Sequence, residues 1–377
     1  MRDDAELQPW FEHAIGLVPD LAIFDAHTHV GVNDPDGFKA TAPQIIHALE
    51  LAGARGVAFP FHEPEGYPAA NDAVIAEAAA SDGRLVAFCR VDPNAGDAVQ
   101  EARRALDAGA CGIKLHPRAE GFSLDEPEVR RVFEVAHDRR LPVLIHAGRG
   151  IPALGSHTVE LARSLPDARV ILAHCGISDL AWIWRDAREL PNLYFDTSWW
   201  SPADVMAVCA LVPPGQILFA SDAPYGTPLQ HAMFMVRCAL QVGLSQDQVR
   251  GVMGAQIERL IAAEDPLDLG PALDRREHSV DVLLQRVETF ISTAIGRIFS
   301  GEDGAETLAL ARLACEVSPD DPRAEVCASM LRLFDLHDRV ADPSPRNPGS
   351  RGIHLVLTAN CLAATPDVGV PSPRIAV

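Results

Sequence analysis

Eight short apolar runs alternate with helix-like stretches between residue 21 and about residue 241, and this alternation limits the possible folds more than any other feature. The runs begin 24 to 35 residues apart, are rich in Val, Ile, Leu and Phe, and lack the polar alternation of half-exposed strands. Such runs are typical of parallel strands that are buried on both faces. They are Leu21–Val30, Gly56–Phe61, Leu85–Val91, Gly112–Pro117, Pro142–Gly148, Arg169–Gly176, Leu193–Trp199 and Ile217–Tyr225.

Eight βα units at this spacing predict an α/β fold, a closed (β/α)8 TIM barrel, which takes about 250 residues. The competing architecture is an open, doubly wound parallel sheet, which usually carries a glycine-rich phosphate-binding loop after its first strand. The first run here ends instead in Asp25-Ala-His-Thr-His29. The closed barrel is therefore the favoured prediction.

The chain is long enough for one barrel and a smaller appendage. We expect the barrel to close with a helix at Gln246–Ala263, and a proline-containing linker and three more helices to follow. The tail is rich in proline and is predicted to be disordered apart from a short apolar run at Ile353–Leu357. The predicted divisions are a barrel at 1–264, a linker at 265–275, a helical appendage at 276–338 and a tail at 339–377, with appendage helices at about 275–300, 303–317 and 322–338.

The formal net charge of −20 repels phosphate backbones and anionic membranes, so nucleic-acid binding is not expected. No apolar run approaches the ~20 residues that span a membrane, and the acidic N-terminus lacks the pattern of a secretory signal. A cytoplasmic protein is the expectation, and a homo-oligomer stays open. The eight cysteines lie far apart without a Cys-x-x-Cys pair, which argues against a disulfide framework or a zinc knuckle.

The first run closes with Ile23-Phe-Asp-Ala-His-Thr-His29. Side chains at i, i+2 and i+4 of a strand share one face, so Asp25, His27 and His29 are expected to point together into the barrel. The carboxyl ends of barrel strands carry the active site, and two imidazoles at this spacing can converge on one cation such as zinc. Paired histidines are also common in cores and on surfaces, so the motif alone is a weak signal.

Three other runs end in residues that can bind metals: His146 ends the fifth, His174 the sixth and Asp222 the eighth. Each has an ordinary explanation in isolation, either a hydrogen-bonded core histidine or a turn aspartate. An unsatisfied polar group at the end of an apolar strand costs roughly 1–3 kcal/mol. Four histidines and one aspartate at the same end of strands 1, 5, 6 and 8 are therefore most simply explained as one ligand set.

Five strand-end motifs form an ordered set, namely Phe24–His29, Gly112–Pro117, Val143–Gly148, Ile171–Gly176 and Phe219–Pro224. This set resembles the amidohydrolase superfamily, in its amidohydrolase-related branch of metal-dependent TIM-barrel hydrolases and decarboxylases. The resemblance covers about residues 20–262 and not the helical appendage or the tail. It implies one or two divalent ions per chain, with zinc the first expectation and manganese or iron the alternatives.

The primary metal ligands that the resemblance implies are His27, His29, His146 and Asp222. His174 is then either a ligand of a second metal or a catalytic histidine beside the bound water. Asp222 touches metal and water together and takes the proton of the attacking water. Metal binding can lower the pKa of water to about 7, which provides a nucleophile at neutral pH.

Lysine is nearly absent from the chain: of 32 basic residues only Lys39 and Lys114 are lysines. Lys114 lies in the apolar fourth run, where a buried ammonium is costly unless it is paired or deprotonated. The resemblance implies one explanation, a carbamylated lysine that bridges two metals. An ammonium that binds substrate and an inward lysine paired to a carboxylate such as Asp25 are the other two, and the sequence leaves all three open.

Residues at the predicted rim are candidates for substrate binding. Arginines beside a metal favour a substrate with a carboxylate or a similar anion, although each one alone more often has a structural role. Histidines in helical or terminal segments are interpreted as surface residues. The rim candidates are His62, Arg90, His116, Arg118, Arg149, Trp199 and Trp200, and the surface histidines are His13, His47, His137, His231 and His278.

Three functions remain open from the sequence. The first is hydrolysis of an amide, lactone or ester bond in a small anionic molecule by metal-activated water, with Asp222 and His174 moving protons. The second is non-oxidative decarboxylation of an unsaturated or aromatic acid, which needs the same ligands. The third is a metal-binding barrel retained as a scaffold, with the helical appendage as its working surface.

Overall fold

The computed structural model describes residues 4–148, 154–274, 280–341 and 351–372. Its centre is a ring of eight parallel strands at the predicted positions. Each strand lies within its predicted apolar run, except that the second begins two residues before its run. The third strand is interrupted at Phe88. The strands are β1 Ile23–Val30, β2 Ala54–Pro60, β3 Leu85–Ala87 with Cys89–Arg90, β4 Ile113–Leu115, β5 Pro142–Ile145, β6 Arg169–Leu172, β7 Leu193–Asp196 and β8 Ile217–Leu218.

Backbone hydrogen bonds close the sheet on itself. Each strand pairs in parallel with the next from β1 to β8, and across the break in β3 the Phe88 N–H donates to the Ala58 carbonyl. The last strand then returns to the first, because the Ala26 N–H donates to the Phe219 carbonyl at 2.9 Å and the His29 N–H to the Ala223 carbonyl at 2.7 Å. A closed barrel is therefore confirmed, and the alternative of an open sheet is wrong.

The interior of the barrel is a packed apolar layer rather than a pore, as the fold requires. A helix at Gln256–Ile261, α12, packs onto this layer with Ile257 and Leu260, beside the start of β1, so that end of the barrel is sealed. The polar residues described below consequently lie at the opposite, carboxyl end of the strands. The strand residues of the layer include Phe24, Ala26, Val57, Phe59, Phe88, Leu144, Ile171, Tyr194 and Leu218.

Helices surround the barrel, and several start where the sequence provides a cap and a first-turn proline, as at Ser201-Pro202. A π-helical turn at Gly251–Ala255 joins α11 to α12. The helices are α1 Asp4–Gly16, α2 Ala42–Leu51, α3 Pro68–Ala80, α4 Ala98–Asp107, α5 Pro117–Glu120, α6 Pro127–Arg139, α7 Gly155–Ser164, α8 Leu180–Ala187, α9 Pro202–Leu211, α10 Pro228–Val242, α11 Gln246–Arg250, α12 Gln256–Ile261, α13 Val282–Phe299, α14 Ala305–Ala314, α15 Ala324–Val340 and α16 Ile353–Ala364.

The C-terminal region is helical, as predicted, but its tail differs from the prediction. The apolar run at Ile353–Leu357 is the first half of the buried helix α16, which packs against α9, α10, α13 and α15. The prediction excepted this run from disorder, but the helix continues to Ala364. Disorder is therefore wrong for residues 358–364, because their apolar side chains pack against distant helices that local composition does not reveal. The rest of the proline-rich stretch, 342–350 and 373–377, lies outside the described residues.

Two further expectations concern membranes and thiols. Within the described ranges, none of the helices has the length and apolar character needed to cross a bilayer. All eight cysteines are free thiols, and seven of them are buried. They fill space in the core as small apolar side chains.

Candidate metal centre

Strand β1 brings His27 and His29 to the mouth of the barrel. Their Nε2 atoms lie 3.1 Å apart, and His27 is fully buried while His29 lines a cavity. The pairing register of β1 with β2 shifts between Asp25 and Thr28, which is a local bulge in the strand. Two imidazole nitrogens thus converge from one strand, as the His-x-His spacing predicts.

Asp222 completes a group of three possible ligands. Its Oδ1 atom lies 3.1 Å from His27 Nε2 and 2.9 Å from His29 Nε2. The residue follows β8 with φ of +58°, a left-handed conformation that aims the side chain back over the barrel mouth. With metal–ligand bonds of about 2.0–2.1 Å, donors around one tetrahedral ion stand about 3.3 Å apart. The three donor atoms therefore fit a single ion, and they are the one such group found among the described residues.

Asp196, at the end of β7, holds His27 in place. Its Oδ2 lies 2.8 Å from His27 Nδ1, and its Oδ1 accepts the backbone N–H groups of His174 and Ser198. Burial raises the pKa of Asp196, but His27 and the other donors lower it more, to about 2, so the residue is a carboxylate. It accepts the Nδ1 proton of His27 and leaves the Nε2 lone pair for a metal.

Asp196 was not among the residues predicted from the sequence, although a usable signal was present. The residue ends the apolar run Leu193-Tyr-Phe-Asp196 in the same way as Asp222 ends the eighth run. A carboxylate at the end of a buried strand was the signal.

His146 and His174 form a second pair beside the first. His174 Nε2 lies 3.0 Å from His146 Nδ1, and the ring centroids of His174 and His27 are 5.4 Å apart. The Nδ1 of His174 faces the Ser198 carbonyl at 2.8 Å, which fixes the proton on that atom. His116 stacks on His146 with centroids 3.9 Å apart. Five imidazoles thus form one continuous cluster.

The predicted ligand His146 lies at the edge of the three-donor group rather than in it. Its Nε2 atom is buried and has no hydrogen-bond partner among the described residues. A buried donor or acceptor without a partner is rare in proteins. The orphaned nitrogen is consistent with a ligand position next to the three donors.

Charges around the cluster favour a bound cation. Burial raises the pKa of Asp222, but His27 and His29 hold it well below its usual range. Burial lowers the pKa of His29 to about 3, so this imidazole is neutral and able to ligate. For His27, burial and Lys114 lower the pKa, but Asp222 and Asp196 raise it by more, so the pKa lies above its usual value. Two carboxylates here stabilise a positive charge, which a proton or a metal can supply.

Lys114 and Asp25 are buried next to this cluster. Lys114 Nζ lies 3.4 Å from His27 Nε2 and 4.9 Å from the Phe59 ring centroid. Burial lowers the pKa of Lys114 to about 7, against the charges of Asp196 and Asp222. Asp25 instead accepts the backbone N–H groups of His27 and Ser221 through Oδ1. Asp25 is therefore a brace of the β1 bulge and not the principal charge partner of Lys114.

A cavity of about 490 Å³ opens directly above the cluster. His29, His146, His174 and Asp222 form its floor, and the Asp222 side chain is 19% exposed. Its walls combine aromatic and polar side chains that come from the loops after the strands and from the C-terminal helices. They include Asp34, Phe61, His62, Arg90, His116, Arg118, Trp199, Trp200, Tyr225, His231, Phe299, His354 and Leu357.

The two predicted rim arginines differ in their surroundings. Arg90 is buried and donates to Glu120 Oε1 at 2.6 Å, so its charge is already neutralised. Arg118 is exposed at the cavity wall. Arg149 lies outside the described residues.

The remaining rim candidates also line the cavity. His62 Nδ1 lies 3.6 Å from Glu120 Oε1, and His116 Nδ1 accepts the Ala119 N–H. The indole N–H of Trp199 donates to Asp204 at 2.8 Å, which fixes the ring at the wall.

The prediction that five histidines lie at the surface is only partly correct. His47 is exposed, whereas His13 and His137 are half-buried. His231 is the clear error: it is buried in α10 and lines the cavity. Its helix is buried on all sides, because α1, α9 and α16 pack around it. His278 lies outside the described residues.

A curated relative and several solved structures are similar to this chain. An uncharacterized metal-dependent hydrolase TatD from Mycobacterium tuberculosis is 27% identical over 231 residues, which cover 55% of this chain and 81% of that protein. An uncharacterized TIM-barrel protein from Bordetella bronchiseptica aligns with a TM-score of 0.52 at 18% identity, covering 64% of this chain and 99% of that one. A 2,6-dihydroxybenzoate decarboxylase from Rhizobium aligns with a TM-score of 0.51 at 15% identity and covers 64% and 99%. At these identities the structures establish the TIM-barrel fold alone.

The sequence also matches a protein family, which establishes more than the fold. A family model described as amidohydrolase matches residues 67–260. The matched stretch contains Lys114, His146, His174 and Asp222, whereas His27 and His29 precede it. Because it covers more than half of the chain, the protein belongs to the amidohydrolase family of metal-dependent enzymes.

Proposed function

We propose that this protein is a hydrolase that cleaves an amide, lactone or ester bond of a small anionic substrate with metal-activated water. The observation that carries the proposal is the convergence of His27 Nε2, His29 Nε2 and Asp222 Oδ1 to within 2.9–3.1 Å of one another. These atoms are the proposed ligands of one divalent ion, zinc first and manganese or iron as alternatives. His146 is the proposed fourth protein ligand.

A divalent ion at this position supplies Lewis-acid polarisation of a carbonyl and lowers the pKa of water. The side chains of the cavity floor do the rest. Asp222 Oδ1 belongs to the ligand group, and the other oxygen of this carboxylate is proposed to accept the proton of the attacking water. Because the pKa of Asp222 lies well below its usual range, the carboxylate is unprotonated and ready to accept.

His174 is the proposed proton carrier to the leaving atom. Its Nδ1 faces the Ser198 carbonyl at 2.8 Å, which leaves Nε2 as the nitrogen that gains and loses a proton. Burial lowers the pKa of His174 despite the nearby Asp222 charge, so the ring is neutral before the reaction. A neutral imidazole at the cavity floor can accept a proton and pass it on.

Arg118 is the side chain that favours an anionic substrate. It is exposed at the cavity wall, whereas the charge of Arg90 is satisfied by Glu120. An exposed guanidinium binds a carboxylate through paired N–H donors. Arg118, rather than Arg90, is therefore the proposed anion contact, together with His62, His116 and Trp199 as wall residues.

Lys114 stays a candidate for the metal centre. A pKa of about 7 means that much of this amine is neutral at physiological pH, and a neutral amine is the form that reacts with carbon dioxide. Carbamylation of Lys114 and a simple neutral amine beside His27 both agree with its position. A carbamate would add an oxygen ligand next to His27 and favour two ions per chain.

Decarboxylation of an aromatic or unsaturated acid is the second candidate. The observation that favours it is the aromatic character of the wall, where Phe61, Tyr225 and Trp199 could pack against a planar ring. Two structures with the same fold are described as a 2,6-dihydroxybenzoate decarboxylase. The ligand set serves either reaction, so product analysis must separate them.

The test uses full-length protein stripped with a chelator and reloaded with ZnCl2 or MnCl2. Metal is counted per chain by elemental analysis. Turnover is assayed with 4-nitrophenyl acetate, dihydrocoumarin and N-acetyl amino acids, and carbon dioxide release with 2,6-dihydroxybenzoate. Metal-dependent hydrolysis supports the proposal, and carbon dioxide release alone supports the second candidate. A chain that acquires no metal contradicts both.

A further inference from the structure

The C-terminal helix α16 is built into the body of the protein. Every residue of Ile353–Ala364 except His354 is buried, and the helix packs against α9 and α10 of the barrel and against α13 and α15. Gly352 precedes it with φ of +84°, and a Cβ there would lie 2.6 Å from His337 Nδ1. The chain therefore enters α16 through a turn that only glycine fits without strain.

Arg237 fastens the chain that follows α16. This side chain is buried in α10, and its guanidinium donates to Thr365 Oγ1 at 2.9 Å, to the Thr365 carbonyl at 2.8 Å and to the Gly369 carbonyl at 2.6 Å. Gln241, one turn later, exchanges two further hydrogen bonds with Asp367. Hydrogen bonds from a buried cation are strong, so Arg237 holds the segment 365–369 firmly in place.

Three side chains from this region line the cavity over the metal centre: Phe299 at the end of α13, and His354 and Leu357 on α16. Phe299 meets Trp200 edge-on, with ring centroids 5.6 Å apart. His354 is the one residue of α16 that is not buried, and it lies at the cavity.

Leu357 and His354 are one helical turn apart, so they share a face of α16. These residues lie outside the stretch matched by the family model, 67–260. The wall over the cavity thus includes side chains from a part of the chain that the family model does not match.

We propose that α16 is a fixed wall of the active site and that Leu357 sets the longest substrate that the cavity accepts. The inference rests on the proposed function only in that the same cavity binds the substrate. Phe299 forms the apolar continuation of this wall, and Arg237 is a positioning residue that holds the wall through the segment after α16. Removal of a leucine side chain opens space for the far end of a ligand without changing the floor.

The experiment measures binding, so it does not depend on turnover. Zinc-loaded full-length protein is titrated with 4-nitrobenzoate and with the longer 4′-nitrobiphenyl-4-carboxylate. Quenching of the total tryptophan fluorescence is followed, because two of the five tryptophans, Trp199 and Trp200, line the cavity. The variants are Leu357→Ala and a matched control, Leu362→Ala, which removes the same atoms from a buried leucine of the same helix. Metal content and thermal unfolding are recorded for each protein.

The wild type is expected to bind the short acid better than the long one. Leu357→Ala should bind the long acid about tenfold more tightly than the wild type does, since a few methylene groups in an apolar pocket change affinity by this order. Its affinity for the short acid and its metal content should stay the same. The control should behave as the wild type.

Three results would overturn the inference. An equal gain for the long acid in Leu362→Ala would mean that general loosening, not the wall, sets the limit. An unchanged preference in Leu357→Ala, or no quenching by either acid in the wild type, would show that Leu357 does not limit the cavity. Absence of hydrolysis in any assay would count against the proposed function and leave this result intact.

Discussion

The floor and the outer wall of the cavity are built in different ways. The floor consists of imidazoles and a carboxylate at the ends of barrel strands, and Asp196 and backbone carbonyls hold them at fixed distances. The wall over it includes side chains of α13 and α16, which belong to a helical region outside the matched family stretch. In the two proposals made above, the barrel carries the chemistry, and the C-terminal helices α13 and α16 limit the size of the substrate.

The largest effect is expected from the floor. Asp222→Asn and His29→Ala should each lower bound metal to well below one ion per chain and reduce turnover at least about a thousandfold, because a ligand is lost. Elemental analysis and initial rates with 4-nitrophenyl acetate measure this. His47→Ala removes an exposed histidine of α2 and serves as the control. Full activity in either floor variant would rule out the proposed ligand group.

A smaller loss of metal affinity is expected when Asp196, the hydrogen-bond partner of His27, is changed. Asp196→Asn removes the negative charge that accepts the His27 Nδ1 proton, and such outer partners are worth about 10- to 100-fold in metal affinity. Competition with a chromogenic chelator measures the change in Kd for zinc. Asp179→Asn is the control. This buried aspartate also accepts two backbone N–H groups, but they belong to Leu154 and Gly155 and not to a histidine. Equal losses in both variants would mean that packing, not the histidine, explains the effect.

Arg118 lies between the two regions and should affect only substrate binding. Arg118→Ala is expected to raise KM for an anionic substrate about tenfold and to leave kcat within about twofold, as for loss of an exposed charged hydrogen bond. The effect should shrink as salt is added. Steady-state kinetics at two ionic strengths, with the exposed Arg103→Ala on α4 as control, would test this. A fall in kcat with KM unchanged would contradict the assignment.

The smallest effect on metal binding is expected when the contacts that hold the segment after α16 are removed. Arg237→Met removes three hydrogen bonds to the segment 365–369 and should lower the free energy of unfolding by about 2–4 kcal/mol. Amide exchange in α16 should become faster while zinc content stays at the wild-type value. Exchange mass spectrometry measures the first and elemental analysis the second. Loss of zinc in this variant would show that wall and floor are not independent.

The sequence was sufficient for the barrel and for most of its floor. Buried parallel strands produce continuous apolar runs, and the polar residue that ends each run must lie at the same mouth, so His27, His29, His146, His174 and Asp222 could be named together. Lys114 stood out for a similar reason, as a charge inside such a run. Local periodicity carries this information because each strand is read from its own residues.

Contacts between distant segments could not be read in this way. Arg90 was selected as an anion contact, but Glu120, which lies 30 residues further along the chain, neutralises it. His231 was placed at the surface, and residues 358–364 were included in a disordered tail. Neither the sequence of α10 nor that of α16 shows which distant helices cover it.

The sequence by itself determined the closed barrel and the end at which its polar residues meet, because strand burial and side-chain alternation are local properties of the chain. Only the tertiary structure decided which of those polar groups stand within bonding distance of one another, that Asp196 braces His27, and that α16 walls the cavity. These outcomes depend on side chains that are up to about 330 residues apart in sequence, such as His29 and Leu357, which both line the cavity. Their free energy comes from packing that no single segment encodes.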